Sequence, residues 1–514
     1  MQVFPKIALS LSGGGYRAAS FHLGSLEMLN ELKLLESIKV LSTVSGGTIT
    51  GASYALAICE KNGFDKFSAD FREYLKSTNV IAAALDKLPK SIEVNESEQM
   101  PSLIRAAASI YASDKLLGSK TLGYISENCS GLEDISFNAT DFRTGNSFRF
   151  QKSHSPQVYS GNRYSQICDE INEKIRLADI VAASSCFPSG FEPLRFPADF
   201  VWTDINLEAV QKSLGKNFTE EIPLMDGGVY DNQGIDSIIN VHERKGQKLD
   251  LIIVSDTDQR HAALLEYPTV GNAGILKVKH LNWLLTILQI ASIISIVAVI
   301  AEFVGNFQAN DLSLVKAIFL FLIPLLFSLT VIFGIFYLRY QLNRLREKFK
   351  VESGIDVWKY LKVLTIPQLI TFSESRVKSL ITMASSVFMK RVRDLSYSRI
   401  YADEEIRDKI ISNQIYDLNK NIHFKAEWGK FITEKELMPT EKLKEAALIA
   451  EEYKTNLWFL NADDLENLIF CGKVTMCYNI IDYLLEHRLI ELSDTNSGEY
   501  DLFTRARQIW LKFN

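Results

Sequence analysis

The sequence predicts an α/β protein that carries a membrane-spanning helical hairpin. Residues 6–12 have the pattern of a strand and residues 16–35 that of an amphipathic helix, and the same order recurs at residues 38–44 and 46–61. Strand–turn–helix units in succession are typical of a parallel sheet covered by helices. Farther along, the stretch 281–338 contains two long segments without a charged residue. Together these observations predict a sheet-based domain and a membrane anchor.

Composition narrows the class of function. The 514 residues carry a formal net charge of −6, and 47% of them are hydrophobic. A protein that coats nucleic acid needs a basic surface, so we expect no nucleic-acid partner. The six cysteines are not paired at zinc-ligand spacing, which predicts reduced thiols and no metal site. Residues 1–6 show no charged region followed by an apolar run, so no signal peptide is expected.

The uncharged segments 281–301 and 317–338 have the length of membrane spans. At about 1.5 Å per residue they form helices of about 31 and 33 Å, which matches a hydrocarbon core of about 30 Å. The alternative, two wholly buried core helices, would normally show polar positions over such lengths. Cytoplasmic flanks are rich in Lys and Arg, so both long arms and both termini are predicted to be cytoplasmic. The flanking cations are Lys277, Lys279, Arg339, Arg344, Arg346, Lys348 and Lys350, against Lys316 alone at the edge of the connecting loop.

Further elements follow the first two strand–helix units. Strands are predicted at residues 134–139 and 146–151, joined by the turn-rich sequence TDFRTGNS, and another at residues 249–258. After the hairpin the pattern is helical. The predicted helical stretches are residues 355–400, 403–421 and most of 441–490.

Three consecutive glycines follow the first strand. Gly13, Gly15 and Ala18 satisfy the G-x-G-x-x-G/A fingerprint of dinucleotide sites. Such a site also needs a carboxylate at the end of the second strand, and residues 41–47, LSTVSGG, contain none. A phosphate-binding Walker loop would need Gly-Lys-Ser/Thr at its end, and that sequence does not follow. A tight turn that needs glycine and a cradle for an oxyanion remain as interpretations.

Two more motifs carry candidate catalytic groups. The second strand ends in Thr43-Val44-Ser45-Gly46-Gly47, the nucleophile-elbow pattern G-x-S-x-G with Thr in first place. The third motif is Met225-Asp226-Gly227-Gly228. Each pattern alone is also an ordinary turn sequence, but a glycine turn, a serine elbow and a late Asp-Gly-Gly in this order are far more specific.

These motifs resemble those of the patatin-like phospholipases. Residues 5–58 match that family in order and spacing, and residues 137–141 (FNATD) and 182–188 (AASSCFP) are similar to two of its other segments. Thr43 stands where the family has glycine. The resemblance implies a patatin-like three-layer α/β/α sandwich, here with a transmembrane helical hairpin and additional C-terminal helices.

The domain boundaries expected from this resemblance divide the chain in four. They are a patatin-like catalytic region at residues 1–258, a connection at 259–280, the hairpin at 281–338, and a mainly helical cytoplasmic region at 339–514 that completes the catalytic domain.

The resemblance also implies roles for individual residues. Ser45 is the nucleophile and Asp226 its general base, a dyad without histidine. The backbone N–H groups of Gly13, Gly14 and Gly15 form the oxyanion hole. Motif support is expected from Thr43, Gly46, Gly47, Gly227 and Gly228.

Alternatives stay open for three kinds of residue. Arg17 is a possible head-group contact, or it forms a surface or structural ion pair. His22 is expected to be a packed core histidine. A Ser–Asp–His triad that recruits His242 or His261 is the alternative to the dyad.

The function implied is that of a membrane-anchored serine lipid acyl hydrolase of the phospholipase A or lysophospholipase type. Its partners would be membrane lipid substrates and the bilayer, with no cofactor and no metal; the sequence does not give the oligomeric state. A neutral-lipid lipase or an acyltransferase would use the same residues. A regulated membrane-degrading effector and a non-catalytic membrane scaffold with a degenerate hydrolase domain are the further alternatives.

Overall fold

The computed structural model divides the chain into two compact units, Met1–Leu264 with Met383–Asn514, and Leu265–Thr382. It describes residues 3–93, 102–188, 190–215, 221–244, 248–260, 277–308, 313–353, 361–383, 387–421 and 423–514. Most of the predicted connection at 259–280, including His261, lies outside the described residues.

The first unit is built on one mixed sheet. Its described strands are β1 (Ile7–Leu11), β2 (Ile38–Val44), β3 (Asp134–Asp141), β4 (Asn146–Ser153), β5 (Ser160–Asn162), β6 (Ser165–Ile167), β7 (Leu194–Phe196), β8 (Ile222–Asp226), β9 (Leu251–Asp256) and β10 (Ile410–Gln414). The main order is β10-β9-β1-β2-β3-β4-β5-β6, while β8 pairs with both β3 and β7. The strands from β10 to β3 are parallel, and the pairs beyond β3 are antiparallel. The α/β fold is therefore confirmed, but its sheet is mixed rather than parallel throughout.

Helices precede and follow the strands along the chain. In the first unit they are α1 (Gly15–Glu31), α2 (Gly46–Cys59), α3 (Phe64–Ser77), α4 (Val80–Glu93), α5 (Leu103–Tyr111), α6 (Leu122–Asn128), α7 (Asp169–Lys174), α8 (Leu177–Ser184), α9 (Leu207–Leu214), α10 (Gly228–Asp231) and α11 (Ile235–His242). The second unit contains α12 (Val278–Gln308), α13 (Leu314–Lys316), a π-helical stretch (Ala317–Leu322), α14 (Ile323–Ser353) and α15 (Ile366–Thr382). The first unit resumes with α16 (Phe388–Ala402), α17 (Glu434–Leu437), α18 (Glu441–Glu452), α19 (Ala462–His487), α20 (Leu489–Leu492) and α21 (Gly498–Phe513).

Apolar residues on β1 point alternately to the two faces of the sheet, and both faces are buried. Leu9 and Leu11 belong to the large core that includes residues of α1, α2 and α19. Ala8 belongs to a smaller core formed with Ile238 of α11 and Ile400 of α16. Because successive side chains of a strand point to opposite faces, the run IALSL can be buried on both sides only when helices cover both. The sheet is thus the middle layer of three.

The long helix α19 crosses α1 at very short backbone distance. A Cβ at Gly24 of α1 would overlap the Ile469 carbonyl, and one at Gly472 of α19 would overlap the Phe21 carbonyl. Glycine at both positions permits this approach. A C-terminal helix thereby becomes part of the core that supports the glycine turn at the start of α1.

The predicted helix at residues 403–421 is wrong: the chain there forms a strand between two short 3₁₀ turns, Arg407–Lys409 and Asp417–Asn419. Residues Ile410–Gln414 form β10, which pairs in parallel with β9. Five residues are too few for a periodic pattern to separate a buried strand from a helix, and here the free edge of β9 decides the structure.

Three described helices are long and apolar enough to cross a membrane by length and composition. They are Val278–Gln308 and Leu314–Glu347, with hydropathies of 2.6 and 2.7, and Ala462–His487, with 1.3. The shares of their most apolar windows buried within the protein are 6%, 17% and 83%, respectively. The sequence predicted the first two; the third is α19, whose apolar residues pack against other helices.

The two exposed apolar segments contact each other through an aromatic pair, Phe303 and Phe321, and through one cation. Arg339 of α14 donates hydrogen bonds to Gln289 Oε1 at 2.9 Å and to Thr286 Oγ1 at 2.8 Å, both on α12. In an apolar environment, side-chain hydrogen bonds of this kind hold helices together. The two helices therefore form an antiparallel hairpin with side-chain hydrogen bonds between them near one end.

Candidate active site

Strand pairing along β3 brings Ser45 and Asp226 together. Val44, the last residue of β2, pairs with Asn138 of β3. Asp226, the last residue of β8, pairs with Ala139, the next residue of β3. β8 thus pairs with the same edge of β3 as β2 does, directly beyond the end of β2, although about 180 residues separate β2 from β8 along the chain. The residue that follows Val44 is consequently next to Asp226.

Ser45 lies on a sharp turn between β2 and α2. Its φ of 50° and ψ of −118° are unusual for a residue with a side chain, and it is 8% exposed. Strained backbone of this kind occurs where the surroundings force it, often at functional sites. A Cβ at Gly46 would overlap the Gly15 carbonyl, and one at Gly47 would overlap the Leu11 carbonyl. The two glycines therefore let the turn pack directly onto the glycine loop.

The carboxylate of Asp226 is buried beside the Ser45 hydroxyl. It is 2% exposed and accepts a hydrogen bond from the Gly228 N–H at 2.7 Å. Burial raises the pKa of Asp226 to about 6, although hydrogen bonds from the Ser45 side chain and the Gly228 N–H oppose the rise. A carboxylate with a raised pKa accepts a proton more readily than one in water.

The three glycines differ in what their N–H groups do. The Gly13 N–H donates to the Asn232 carbonyl at 3.0 Å, so it is already engaged, contrary to its predicted place in the oxyanion hole. Gly14 and Gly15 have φ values of 143° and 56°, and within the described residues their N–H groups have no hydrogen-bond acceptor. The same holds for the N–H of Gly46, at the start of α2. Two glycines of the loop and the residue after Ser45 thus offer open donors beside one another.

Ser184, in the small-residue segment, connects the serine turn to the aspartate strand. Its hydroxyl accepts from the Ser45 N–H at 3.0 Å and donates to the Asn138 carbonyl at 2.6 Å, and its own carbonyl accepts from the Gly227 N–H at 3.2 Å. A Cβ at Gly227 would overlap the Asn138 carbonyl, so this contact too requires glycine. Ser184 was not among the predicted site residues. A polar residue inside AASSCFP was the available signal.

Thr43 fits its position because α2 leaves room for it. A Cβ at Gly51 of α2 would overlap the Thr43 methyl, so glycine is needed there. The Thr43 hydroxyl is 2.9 Å from the Thr48 hydroxyl. The Thr48 hydroxyl is 2.8 Å from that of Ser184. Gly51 thus accommodates the side chain that replaces the family's glycine. The threonine joins the network that holds the turn.

Two of the three candidate histidines, His22 and His242, lie among the described residues. His22 is fully buried between Ser255 Oγ and the Ser12 carbonyl, each at 2.9 Å, and burial lowers its pKa to about 4. It is a packed core histidine, as predicted. His242 lies 3.8 Å from Glu405 and makes no hydrogen bond to Asp226 in the described part of the chain.

Arg17 points inward rather than to a ligand-accessible surface. It is 6% exposed and donates to the Tyr453 carbonyl at 2.8 Å. Burial lowers its pKa, while the nearby carboxylates of Asp258, Asp256 and Glu451 oppose that change. These contacts correspond to the structural alternative for Arg17 rather than to a head-group contact. Among the described residues, no group of three His, Cys, Asp or Glu side chains could hold a metal ion.

Comparison with known proteins agrees with the motifs. Residues 9–239 match the family model of the patatin-like phospholipases, so the predicted resemblance is confirmed. Comparison with curated proteins gave no match.

Solved structures give weaker likenesses. Human GIVD cytosolic phospholipase A2 aligns at 16% identity over 48% of this chain and 45% of that chain, with a TM-score of 0.34. VipD from Legionella pneumophila aligns at 12% identity over 92% of this chain and 91% of that chain, with a TM-score of 0.24. The chain thus spans less than half of the human enzyme, and at these TM-scores the likenesses carry no further conclusion.

Proposed function

Because residues 9–239 form a patatin-like phospholipase domain, we propose that the chain is a membrane-anchored lipid acyl hydrolase that uses Ser45 and Asp226 as a catalytic dyad. The observation that carries this proposal is the meeting of the Ser45 hydroxyl with the buried Asp226 carboxylate beside the open N–H groups of Gly14, Gly15 and Gly46. A nucleophile, a base and oxyanion donors are the three parts that ester cleavage through an acyl-enzyme requires.

In the proposed reaction, Asp226 accepts the proton of the Ser45 hydroxyl as the serine oxygen attacks the ester carbonyl. The carbonyl oxygen becomes negative and is held by the N–H groups of Gly14, Gly15 and Gly46. The intermediate collapses to an acyl-serine, and the alcohol leaves with the proton from Asp226. Water then attacks the acyl-serine with Asp226 again as the base, which releases the fatty acid and restores the Ser45 hydroxyl.

Two features favour this chemistry at neutral pH. A pKa of about 6 lets Asp226 be ionised at pH 7 and still be a stronger base than an exposed carboxylate. Ser45 precedes α2, whose positive N-terminal end points at the developing negative charge.

Gly13 contributes to the proposed site by allowing close approach of its neighbours. A Cβ at Gly13 would overlap Asn232 Oδ1 and lie 3.2 Å from the Ser45 Cβ.

We further propose that residues 281–301 of α12 and residues 317–338, in the π-helical stretch and α14, span the membrane, and that α19 does not. The most apolar windows of Val278–Gln308 and Leu314–Glu347 are 6% and 17% buried, against 83% for α19. Both arms of the chain, and with them the active site, would be cytoplasmic because the cations flank the outer ends of the hairpin. Residues after the hairpin would complete the catalytic domain, a division favoured by the pairing of β10 with β9.

The hydrolase proposal is tested by covalent labelling with a fluorophosphonate probe. We expect wild type to be labelled, and Ser45→Ala to lose both labelling and fatty-acid release from phospholipid vesicles. Ser53→Ala is the matched control, since Ser53 lies in α2, the helix that follows Ser45, and donates to the Ile49 carbonyl. Labelling of the Ser45→Ala protein at the wild-type rate, or an unlabelled wild type that releases no fatty acid, would reject the dyad and favour a scaffold.

Membrane topology is tested separately with Cys168, the exposed cysteine among six. In intact cells we expect an impermeant maleimide to leave Cys168 unmodified until the membrane is permeabilised, and alkaline carbonate to leave the protein in the membrane fraction. Labelling in intact cells would place the catalytic unit on the other side. Extraction by carbonate would reject the two spans.

A further inference from the structure

A polar cavity lies on the face of β4 opposite to its buried aromatic side chains. The side chains of β4 alternate: Phe148 and Phe150 are fully buried and pack against Phe196. Ser147 and Arg149 stand on the other face, as alternation along a strand requires. This polar face is not filled by apolar side chains; it forms one wall of a cavity of about 500 Å³.

The cavity is strongly cationic. Besides polar and amide side chains, it is lined by three arginines and two tyrosines, and none of its lining residues is acidic. These five are Arg149, Arg163, Arg244, Tyr159 and Tyr230. Its size falls in the range of small-ligand pockets.

The three arginines differ in whether a carboxylate pairs with their charge. Arg244 donates to Asp134 Oδ1 at 2.8 Å, so its charge is paired. Within the described residues, Arg149 and Arg163 have no ion pair, and Arg163 only stacks on the ring of Tyr164. Burial raises the pKa of Asp231 to about 6, and the charge of Arg149 opposes this rise. The oxygens of Asp231 accept hydrogen bonds from the N–H groups of Gln233, Gly234 and Asp236 rather than from Arg149.

Two buried atoms in this wall lack a hydrogen-bond partner. They are the Nε of Arg149 and the Oγ of Ser147, which stand two residues apart on the same face of β4. A buried polar atom without a partner costs free energy, and most such atoms in folded proteins are satisfied. A guanidinium and a hydroxyl with free donors side by side match the acceptor oxygens of an anionic ligand.

We propose that this cavity binds a phosphate group, carried either by a lipid head group or by a soluble phosphorylated molecule. A phosphate offers acceptor oxygens in the geometry that guanidinium groups bind through two parallel hydrogen bonds. Arg149 and Ser147 bind it from the strand, and Arg163 binds it from the turn after β5. Tyr159 and Tyr230, both about a third exposed, provide aromatic walls for the rest of the molecule.

The site is near the catalytic residues but separate from them. Val44, Asn138, Arg149 and Gly161 form one row across β2, β3, β4 and β5. At about 4.8 Å between strands, the Arg149 backbone is about 10 Å from that of Val44. Tyr230, in the cavity wall, is four residues after Asp226. The proposal rests on this cavity alone and does not depend on hydrolase activity.

The test uses the full-length protein in a phosphate-free non-ionic detergent and measures binding by calorimetry. The soluble probes are inorganic phosphate and glycerol 3-phosphate; the lipid probe is dihexanoyl phosphatidic acid, with dihexanoylglycerol as its phosphate-free counterpart. We expect at least one phosphate-bearing probe to bind and dihexanoylglycerol not to compete with it. Binding of the soluble probes would identify a soluble phosphate compound as the source, and binding of phosphatidic acid alone a lipid head group.

Variants assign the binding to the cavity. Arg149→Gln should weaken binding at least tenfold, and Arg163→Gln, at an exposed position that the fold does not need, should weaken it several-fold. Arg391→Gln, at an exposed position of α16, is the matched control and should bind as wild type does. Far-UV circular dichroism and the urea-unfolding midpoint of each variant serve as an independent check of folding. Failure of wild type to bind any phosphate probe, or equal affinity in wild type and both cavity variants, would overturn the proposal.

Discussion

Replacement of Asp226 by asparagine should make the protein inactive and at the same time more stable near neutral pH. The carboxylate is 2% exposed, and burial raises its pKa from 3.8 to about 6. Ionisation of this group is therefore less favourable in the folded state than in the unfolded state. Asparagine has nearly the same shape, can still accept the Gly228 N–H, and carries no charge.

The size of the effect follows from the pKa. A rise from 3.8 to about 6, at about 1.4 kcal/mol for each pH unit, corresponds to about 3 kcal/mol of lost stability once the group is ionised in both states. Below about pH 3 the group is largely protonated in both states and costs almost nothing. As the pH rises from about 4 to about 6 the unfolded state releases its proton first, so wild type loses stability across that window and then reaches a constant deficit.

Urea unfolding of detergent-solubilised protein at pH 4, 5, 6 and 8 measures the difference. We expect Asp226→Asn to exceed wild type by less than about 1 kcal/mol at pH 4 and by about 3 kcal/mol at pH 8. Asp65→Asn, at an exposed carboxylate, should show no such pH-dependent gain. A variant less stable than wild type at pH 8, or an equal difference at every pH, would show that Asp226 is not desolvated and would remove the physical basis for its role as a base.

Three further predictions concern the same unit. Ester hydrolysis should fall about tenfold for each pH unit below about 6, because protonated Asp226 cannot accept the Ser45 proton; a rate that is flat down to pH 4.5 would contradict this. Gly51→Ala should cost about 1–3 kcal/mol by its overlap with Thr43, and the double variant with Thr43→Ala should recover most of that loss in a double-mutant cycle; additive losses would contradict the contact. Arg393→Met should cost about 3–5 kcal/mol in urea unfolding, because it leaves the fully buried Asp256 without its ion pair at 2.8 Å; a loss below about 1 kcal/mol would show that the pair is not structural.

Local features of the site could be predicted because they depend on short stretches of chain. Apolar spacing and glycines predict the strand before Gly13, the turn after Val44 and the helices that follow them. The uncharged runs before and after residue 310 likewise follow from composition. Periodicity and turn chemistry act over a few residues, so a single sequence contains that information.

Other features depend on contacts between distant segments. The Gly13 N–H is taken by Asn232, which no local pattern indicates. Residues 410–414 form a strand only because β9 offers a free edge. Ser184 acts through three backbone groups on three different elements, and its own neighbourhood in the sequence shows only small residues.

By itself, the sequence determined that this protein has a glycine turn, a serine elbow, a late aspartate and two uncharged segments of membrane-spanning length. Only the tertiary structure decided that β8 continues the edge of β3 where β2 ends, which joins Ser45 to Asp226, and that the polar face of β4 encloses a cationic cavity. The physical reason is that strand pairing and helix packing between segments more than a hundred residues apart are chosen by the burial of the whole core. Each motif alone is compatible with many such pairings.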